Sequence, residues 1–198
     1  MRTHLPLAHP PARSFEYICC VDFLYRDMPS ELTVRPATPD DALAVATVHV
    51  RAWQAGYRGL VPDEYLDALR PEDRASRYTL GASEPSKPHT LVAVRDGVVC
   101  GFATTGPCRD ADALTGELLA LHVDPDAWGL GVGRRLIEAA RSRLHSLGFS
   151  DAVLWVLIGN DRAQRFYRID GWLPDDCDRT IELWGAHLLD TRYRRNLP

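Results

Sequence analysis

Apolar and polar residues alternate through Leu32-Thr33-Val34-Arg35, the period of a strand with one buried face. Thr38-Pro39-Asp40-Asp41 then supplies a capping hydroxyl, a proline at the first helical position and acids for the first turn, which predicts a helix running towards Gly56. Its apolar residues, Leu43, Val45, Ala46, Val48, Val50 and Trp53, span too wide an arc for one face, so this helix is expected to pack on more than one side. Residues 62–69 and 71–80 each open on a proline and acids and predict two shorter helices, with a loop over 81–88. From Thr90 the period becomes two: residues 91–94 and 98–103 flank Asp96-Gly97, a hairpin dipeptide that tolerates positive φ. A further strand is expected over 117–123, stopped by Asp124-Pro125. Residues 134–147 carry Leu136, Ile137, Ala140, Leu144 and Leu147 on one helical face, with Gly148 placed to end the helix. Residues 152–158 are so continuously apolar that they predict a central strand covered on both faces. A short helix over 161–170 ends at Gly171, and two late strands are expected at 181–184 and 187–192. The order predicts a mixed α/β sheet with no internal repeat.

The first 30 residues hold Pro6, Pro10, Pro11 and Pro29 and keep neither period, so they are expected to be an extension outside a single domain over 31–198, with Met28 as an alternative start. At 198 residues, 45% hydrophobic and 25% charged, the chain can build one core. Its net charge of −4 disfavours a general nucleic-acid binder. No stretch reaches the roughly 20 apolar residues a bilayer requires, and the run over 17–25 is broken by Asp22, so no membrane segment and a cytoplasmic location are expected. Cys19, Cys20, Cys100, Cys108 and Cys177 are odd in number and lack C-x-x-C spacing, which points to free thiols and no metal site.

The segment carrying chemistry is Val123-Asp-Pro-Asp-Ala-Trp-Gly-Leu-Gly-Val-Gly-Arg-Arg-Leu136, a strand end, a glycine-rich turn and a helix start. Gly129, Gly131 and Gly133 let a backbone approach a ligand, and amides at a helix N-terminus attract an anion, so the turn is expected to cradle a phosphate, with Arg134 and Arg135 as further donors. A plain connecting loop is the other reading. Arg134 stands where a dinucleotide-binding G-x-G-x-x-G needs its third glycine, and no Gly-Lys-Ser or Gly-Lys-Thr is present. The turn resembles the coenzyme A pyrophosphate loop of the GNAT superfamily of acyl-CoA-dependent N-acyltransferases. It matches at Gly131 and Gly133 and departs at Trp128, where the family has Gln or Arg.

Asn160-Asp-Arg-Ala-Gln-Arg-Phe-Tyr167-Arg-Ile-Asp-Gly-Trp172 resembles the family's second signature. Seven residues, two helical turns, separate Asn160 from Tyr167, so one ligand can touch both, although Asn160 also suits a helix cap and Tyr167 a core. The resemblance, which runs from about Leu32 to the C-terminus, implies a six- to seven-stranded mixed sheet flanked by about four helices. It also implies acetyl-CoA as co-substrate, held by the backbone of Leu121, His122 and Val123, by Gly129, Leu130, Gly131, Val132, Gly133 and Arg134, and by Asn160. Tyr167 is then the acid that protonates the departing thiolate. Glu117, six residues before Val123, stands where histone-acetylating members carry a general base. Alternation along 117–123 puts it with Leu119, Leu121 and Val123 and puts His122 on the opposite face; a solvated edge glutamate and a structural histidine are the competing readings.

Trp53 and Tyr57, one helical turn apart, can wall an acceptor pocket with Arg51 or Arg58 beside them, or simply pack; Trp155, Trp172 and Trp184 are expected to pack. The function expected is direct transfer of an acetyl group to a primary amine of a small molecule or of a protein N-terminus or lysine. A weak or inactive acyl-CoA-binding regulator and a phosphate-binding interaction domain are the rivals, and a homodimer is left open.

Overall fold

The computed structural model describes residues 31–81, 84–108, 115–183 and 185–197; the N-terminal extension, the Met28 start, Cys19, Cys20 and Trp184 lie outside them. In chain order the elements are β1 (Leu32–Pro36), α1 (Ala42–Gly56), α2 (Asp63–Ala68), α3 (Pro71–Ala75), β2 (His89–Arg95), β3 (Val98–Pro107), β4 (Thr115–Val123), α4 (Val132–Ser146), β5 (Asp151–Leu157), α5 (Asp161–Ile169), β6 (Leu173–Leu183) and β7 (Ala186–Asn196). They build a seven-stranded sheet in the order β1-β2-β3-β4-β5-β7-β6, antiparallel except where β4 runs parallel to β5.

The local chemistry explains the elements. Ahead of α1, Asp41 accepts from the Thr38 amide at 2.7 Å and takes a two-pronged bond from Arg35 (2.7 and 2.8 Å), which holds its carboxyl well below the usual range. The β2–β3 hairpin turns on Asp96 (φ 51°) and Gly97 (φ 79°), the positive pair the dipeptide permits. Helix α3 stops at Ala75 rather than running to Leu80: the Ser76 hydroxyl donates back to Asp73 O (2.9 Å), and Tyr78 and Leu80 pack on the α1 side of the sheet. Strand β6 begins eight residues earlier than expected. Its acids conceal it in the sequence, but Asp175 is paired with Arg192 (2.9 Å) and Arg194 (3.3 Å) of the neighbouring strand.

Two apolar layers cover the sheet. On one face α4 and α5 bury Leu136, Ile137, Leu144 and Tyr167 against Ala103, Leu118, Leu154 and Tyr193. On the other, α1 sets Val45 and Val48 against Val92 and Phe102, and α2 sets Leu66 against Leu157. Burial of α1 at Val45, Ala46, Val48, His49, Val50 and Ala52 is the broad arc its sequence predicts. Helix α4 sits so close to the sheet that a Cβ on Gly101 would lie 2.9 Å from both Leu136 Cδ1 and Val132 Cγ1, and 3.1 Å from His122 O.

Strand β4 carries a bulge. Thr104 pairs with Ala120 and Thr105 with Leu118, so Leu119 has no counterpart on β3. Before it, Gly116 and Leu118 face α4; after it, Leu121 and Val123 do.

Gly101→Ala should destabilise the fold by roughly 1–3 kcal/mol through overpacking, read as a lowered urea midpoint; an unchanged midpoint would contradict the tight approach of α4.

Candidate functional site

Strands β4 and β5 share hydrogen-bonded register only from Thr115–Asp151 to Leu118–Leu154. Beyond Leu118 they part, and a cavity of about 390 Å³ opens between Leu121, His122 and Val123 on one side and Trp155, Val156 and α5 on the other. On this edge the β4 backbone has no strand partner, which leaves its amides and carbonyls available to an extended ligand.

The glycine-rich turn closes one end. Gly129 (φ 77°) and Gly131 (φ 80°) adopt the left-handed conformation that only glycine takes without strain, and a Cβ at either would meet nothing within 4 Å. Gly133 faces α5: a Cβ there would lie in ordinary van der Waals contact, 3.4 Å, with Phe166. Gly129, Gly131, Val132, Gly133 and Arg134 line the cavity at the start of α4, whose first-turn amides have no carbonyl one turn earlier to bond. Residues and cavity fit a diphosphate held by main-chain N–H groups. Leu130, between the two left-handed glycines, lies outside the lining: its side chain is exposed and its amide bonds Ala127 O at 3.4 Å.

Trp128, at the turn's first position, donates its indole N–H to Val123 O (2.8 Å), and the Arg162 guanidinium stacks 3.4 Å above its ring. Both line the cavity. Nothing in the motif singles out Arg162; only the one-turn proximity of α5 to the loop brings it there.

Asn160 and Tyr167 both line the cavity from α5. Asn160 also caps that helix, its Oδ1 accepting from the Ala163 amide at 3.1 Å, so the cap and the site are the same residue. Tyr167 is buried, and that burial, reinforced by nearby Tyr57, pushes its hydroxyl well above the usual phenol range. It stays protonated at neutral pH. Tyr57 lines the same cavity and stacks on Trp53 with ring centres 4.7 Å apart; Trp53 itself stands behind it. The expected arginine companions are engaged elsewhere, Arg51 with Asp124 (2.7 Å) and Asp126 (2.8 Å), and Arg58 with Asp63 and Asp67.

The bulge at Leu119 corrects the facing of β4. Gly116 and Leu118 point to α4, so Glu117 between them points to the α1 side, the side on which His122 meets Phe102 and His49. Glu117 and His122 therefore share a face, and Leu121 and Val123 occupy the other. Glu117 is half-buried and does not itself line the cavity. Trp155 is also corrected: it lines the cavity, beneath the guanidiniums of Arg179 (4.1 Å) and Arg192 (5.7 Å), whereas Trp172 is buried packing. Asp190, opposite Leu157 in register, is a buried carboxylate that sequence periodicity could not flag. Burial pushes its carboxyl up, and Arg179 at 3.2 Å opposes that.

Buried His49 and half-buried His122, which lines the cavity, lie with ring centres 4.8 Å apart. Trp53 Nε1–H donates to His122 Nε2 (3.4 Å), and His49 Nδ1 lies 2.7 Å from the Tyr78 hydroxyl. Burial, then the charge of Arg74, lowers His122 to about 4. Burial lowers His49 far below its ordinary value too, with His122 and Arg74 adding to it.

The Acetyltransferase (GNAT) family model matches residues 49–172. An uncharacterised N-acetyltransferase of Bacillus subtilis is 31% identical over 65% of this chain and 73% of its own length. A mycothiol acetyltransferase of Propionibacterium freudenreichii is 33% identical over 53% of this chain, which corresponds to 33% of the longer relative. Among solved structures, yncA of Salmonella typhimurium, solved with its cofactor acetyl-CoA, superposes with a TM-score of 0.65 at 23% identity, covering 85% of this chain and 95% of that one.

The buried histidines make stability depend on pH. Between about 6.5 and about 4 the unfolded chain binds protons that folded His122 refuses, so its contribution is intact above 6.5 and is lost as the pH falls through that window. Urea denaturation should show stability declining across it, and His122→Gln should flatten the decline by up to about 1.4 kcal/mol per pH unit. An unchanged slope would mean that His122 is not held neutral.

Proposed function

Because this chain belongs to the acetyltransferase (GNAT) family and is an acetyl-CoA-dependent N-acetyltransferase, we propose that its cleft carries out direct transfer of the acetyl group to a primary amine. The observation supporting this reading is one cavity with anion-binding amides at the head of α4, an unpaired edge of β4 along its length, and Asn160 and Tyr167 on the opposite wall. The co-substrate supplies an activated thioester. Its diphosphate would rest on the amides of residues 131–134 and its extended arm against the backbone of Leu121, His122 and Val123, with Asn160 alongside.

The chain's own groups meet the remaining requirements. An ordinary alkyl ammonium has a pKa near 10.4, so a base must take its proton before attack. Glu117 is our choice, acting through water because it stands outside the lining, and the bulge directs it to the α1 side with the aromatic row of Trp53 and Tyr57. His122, held neutral but very weakly basic, is a poor base. A β4 amide polarises the thioester carbonyl, and Tyr167, protonated at neutral pH, gives its proton to the leaving sulfur. The acceptor is a small-molecule amine or the amine of a protein N-terminus or lysine, and the reaction takes place in the cytoplasm.

One observation favours the alternative of an acyl-CoA-binding regulator with little turnover: among the described residues, no carboxylate lines the cavity itself. Thiol release over a panel of amines separates the two. Tyr167→Phe should lower kcat by about 10²-fold or more while leaving the KM for acetyl-CoA within a few-fold; an unaltered kcat would remove Tyr167 from the chemistry. Gly131→Glu should abolish calorimetric binding of coenzyme A, since it puts a carboxylate and a strained backbone into the amide cradle; retained affinity would refute the cradle.

A further inference from the structure

A second cavity, about 180 Å³, opens between α2 and α3 and is lined by Tyr65, Leu69, Arg70, Asp73, Arg74 and Arg77, with Ala68 at its edge. Three guanidiniums around one small space in a chain of net charge −4 need an explanation. Among the described residues no carboxylate forms an ion pair with Arg70, Arg74 or Arg77. Arg70 instead donates to the carbonyls of Asp67 (2.6 Å) and Leu69 (2.8 Å), and the nearby acids Asp63 and Asp67 are both taken by Arg58. Asp73 offsets one of the three charges, which leaves the lining about two positive.

A row of three packed rings separates this cavity from the reactive cleft. Tyr65, in its wall, meets Trp53 edge-on with ring centres 6.0 Å apart; Trp53 stacks on Tyr57; and Tyr57 lines the cleft. Arg74 is the inward-facing member of the three, near enough to His49 and His122 to oppose their protonation. The glycine cradle sits on α4, across the sheet from α1 and α2, so the arginines stand apart from the groups that would hold the diphosphate.

We propose that the α2–α3 cavity seats the anionic end of the acceptor, a carboxylate or phosphate gripped by Arg70, Arg74 and Arg77, while the amine of the same small molecule reaches the cleft past Tyr65, Trp53 and Tyr57. Guanidinium forks match the paired oxygens of both anions, and 180 Å³ accommodates either. This deepens the reading of the cleft as an amine acetyltransferase and rests on it. It narrows the acceptor class from any primary amine to amino acids and amino phosphates of suitable span.

Two measurements test it. Thiol release is followed with ω-amino carboxylates of increasing chain length, the matching ω-amino phosphonates and their neutral carboxamides, for the wild-type chain, Arg74→Gln and Arg77→Gln. Calorimetry with the same probes is run on protein saturated with coenzyme A, whose own affinity reports that each variant is folded. The expected result is a preference of tenfold or more in kcat/KM for anionic over neutral amines at an optimal length, falling towards parity in both variants. The carboxylate and phosphonate arms show which anion fits. Parity in the wild type, or a preference that survives both substitutions, overturns the anion seat while the acetyltransferase reading stands. If no amine is turned over, arginine-dependent binding of the anionic probes supports the seat and counts against the transferase reading, whereas binding that is absent or indifferent to both substitutions overturns the seat.

Discussion

A sheet in which every strand were paired along its whole length would have no place for a ligand between its strands. Here β4 and β5, the parallel neighbours of the described sheet, stop pairing after Leu118, one residue before the extra residue that bulges β4 at Leu119. Parallel pairs need a crossover, and α4 is that crossover, so the strand end, the glycine turn and the helix N-terminus arrive together at the mouth of the gap. The cleft follows from this parting: one wall is a strand edge with unspent hydrogen-bonding groups, and the other is α5, reached from the end of β5 through a single turn. Rigid packing behind it, with Gly101 and Gly116 allowing α4 to lie almost against the backbone, keeps the parted strands from closing.

The two faces of the sheet then divide the work. On the α4 side the helix N-terminus provides positive potential without any side-chain charge. On the α1 side the potential comes from arginines held off by aromatic rings. His49 and His122 lie between, and desolvation, with the charge of Arg74 nearby, lowers the pKa of both and holds them neutral at pH 7. A protonated imidazole there would cost folding energy.

Most of this was legible in the residues where a local rule governs. Asp96-Gly97 demanded its hairpin, the apolar periodicity of α4 its face, and the alternating glycines a left-handed turn at Gly129 and Gly131, because each depends only on neighbours in sequence. What sequence reasoning lost depended on partners far along the chain. Strand β6 looked like a loop because Pro174, Asp175, Asp176 and Asp178 are poor strand formers; arginines on β7 satisfy Asp175 and make the strand possible. Glu117 was assigned to the wrong face because strict alternation cannot reveal an inserted residue, and one bulge inverts every facing beyond it. Trp155 looked like core because its run is apolar, and the opening of the sheet beside it is a property of β4, not of β5.

Trp128 shows how a departure from a motif can leave its geometry intact. The family has Gln or Arg at that position. Here the indole N–H ties the turn to Val123 O, the last carbonyl of β4, while its ring face takes the Arg162 guanidinium from α5. One side chain thus links the strand end, the glycine turn and the opposite wall. Arg162 needs a flat, electron-rich face to be held beside the cavity, and desolvation lowers its pKa, a cost that stacking helps to offset. A guanidinium therefore stands beside the loop although position 128 carries no charge: it comes from the next helix, and the indole that holds it also anchors the turn.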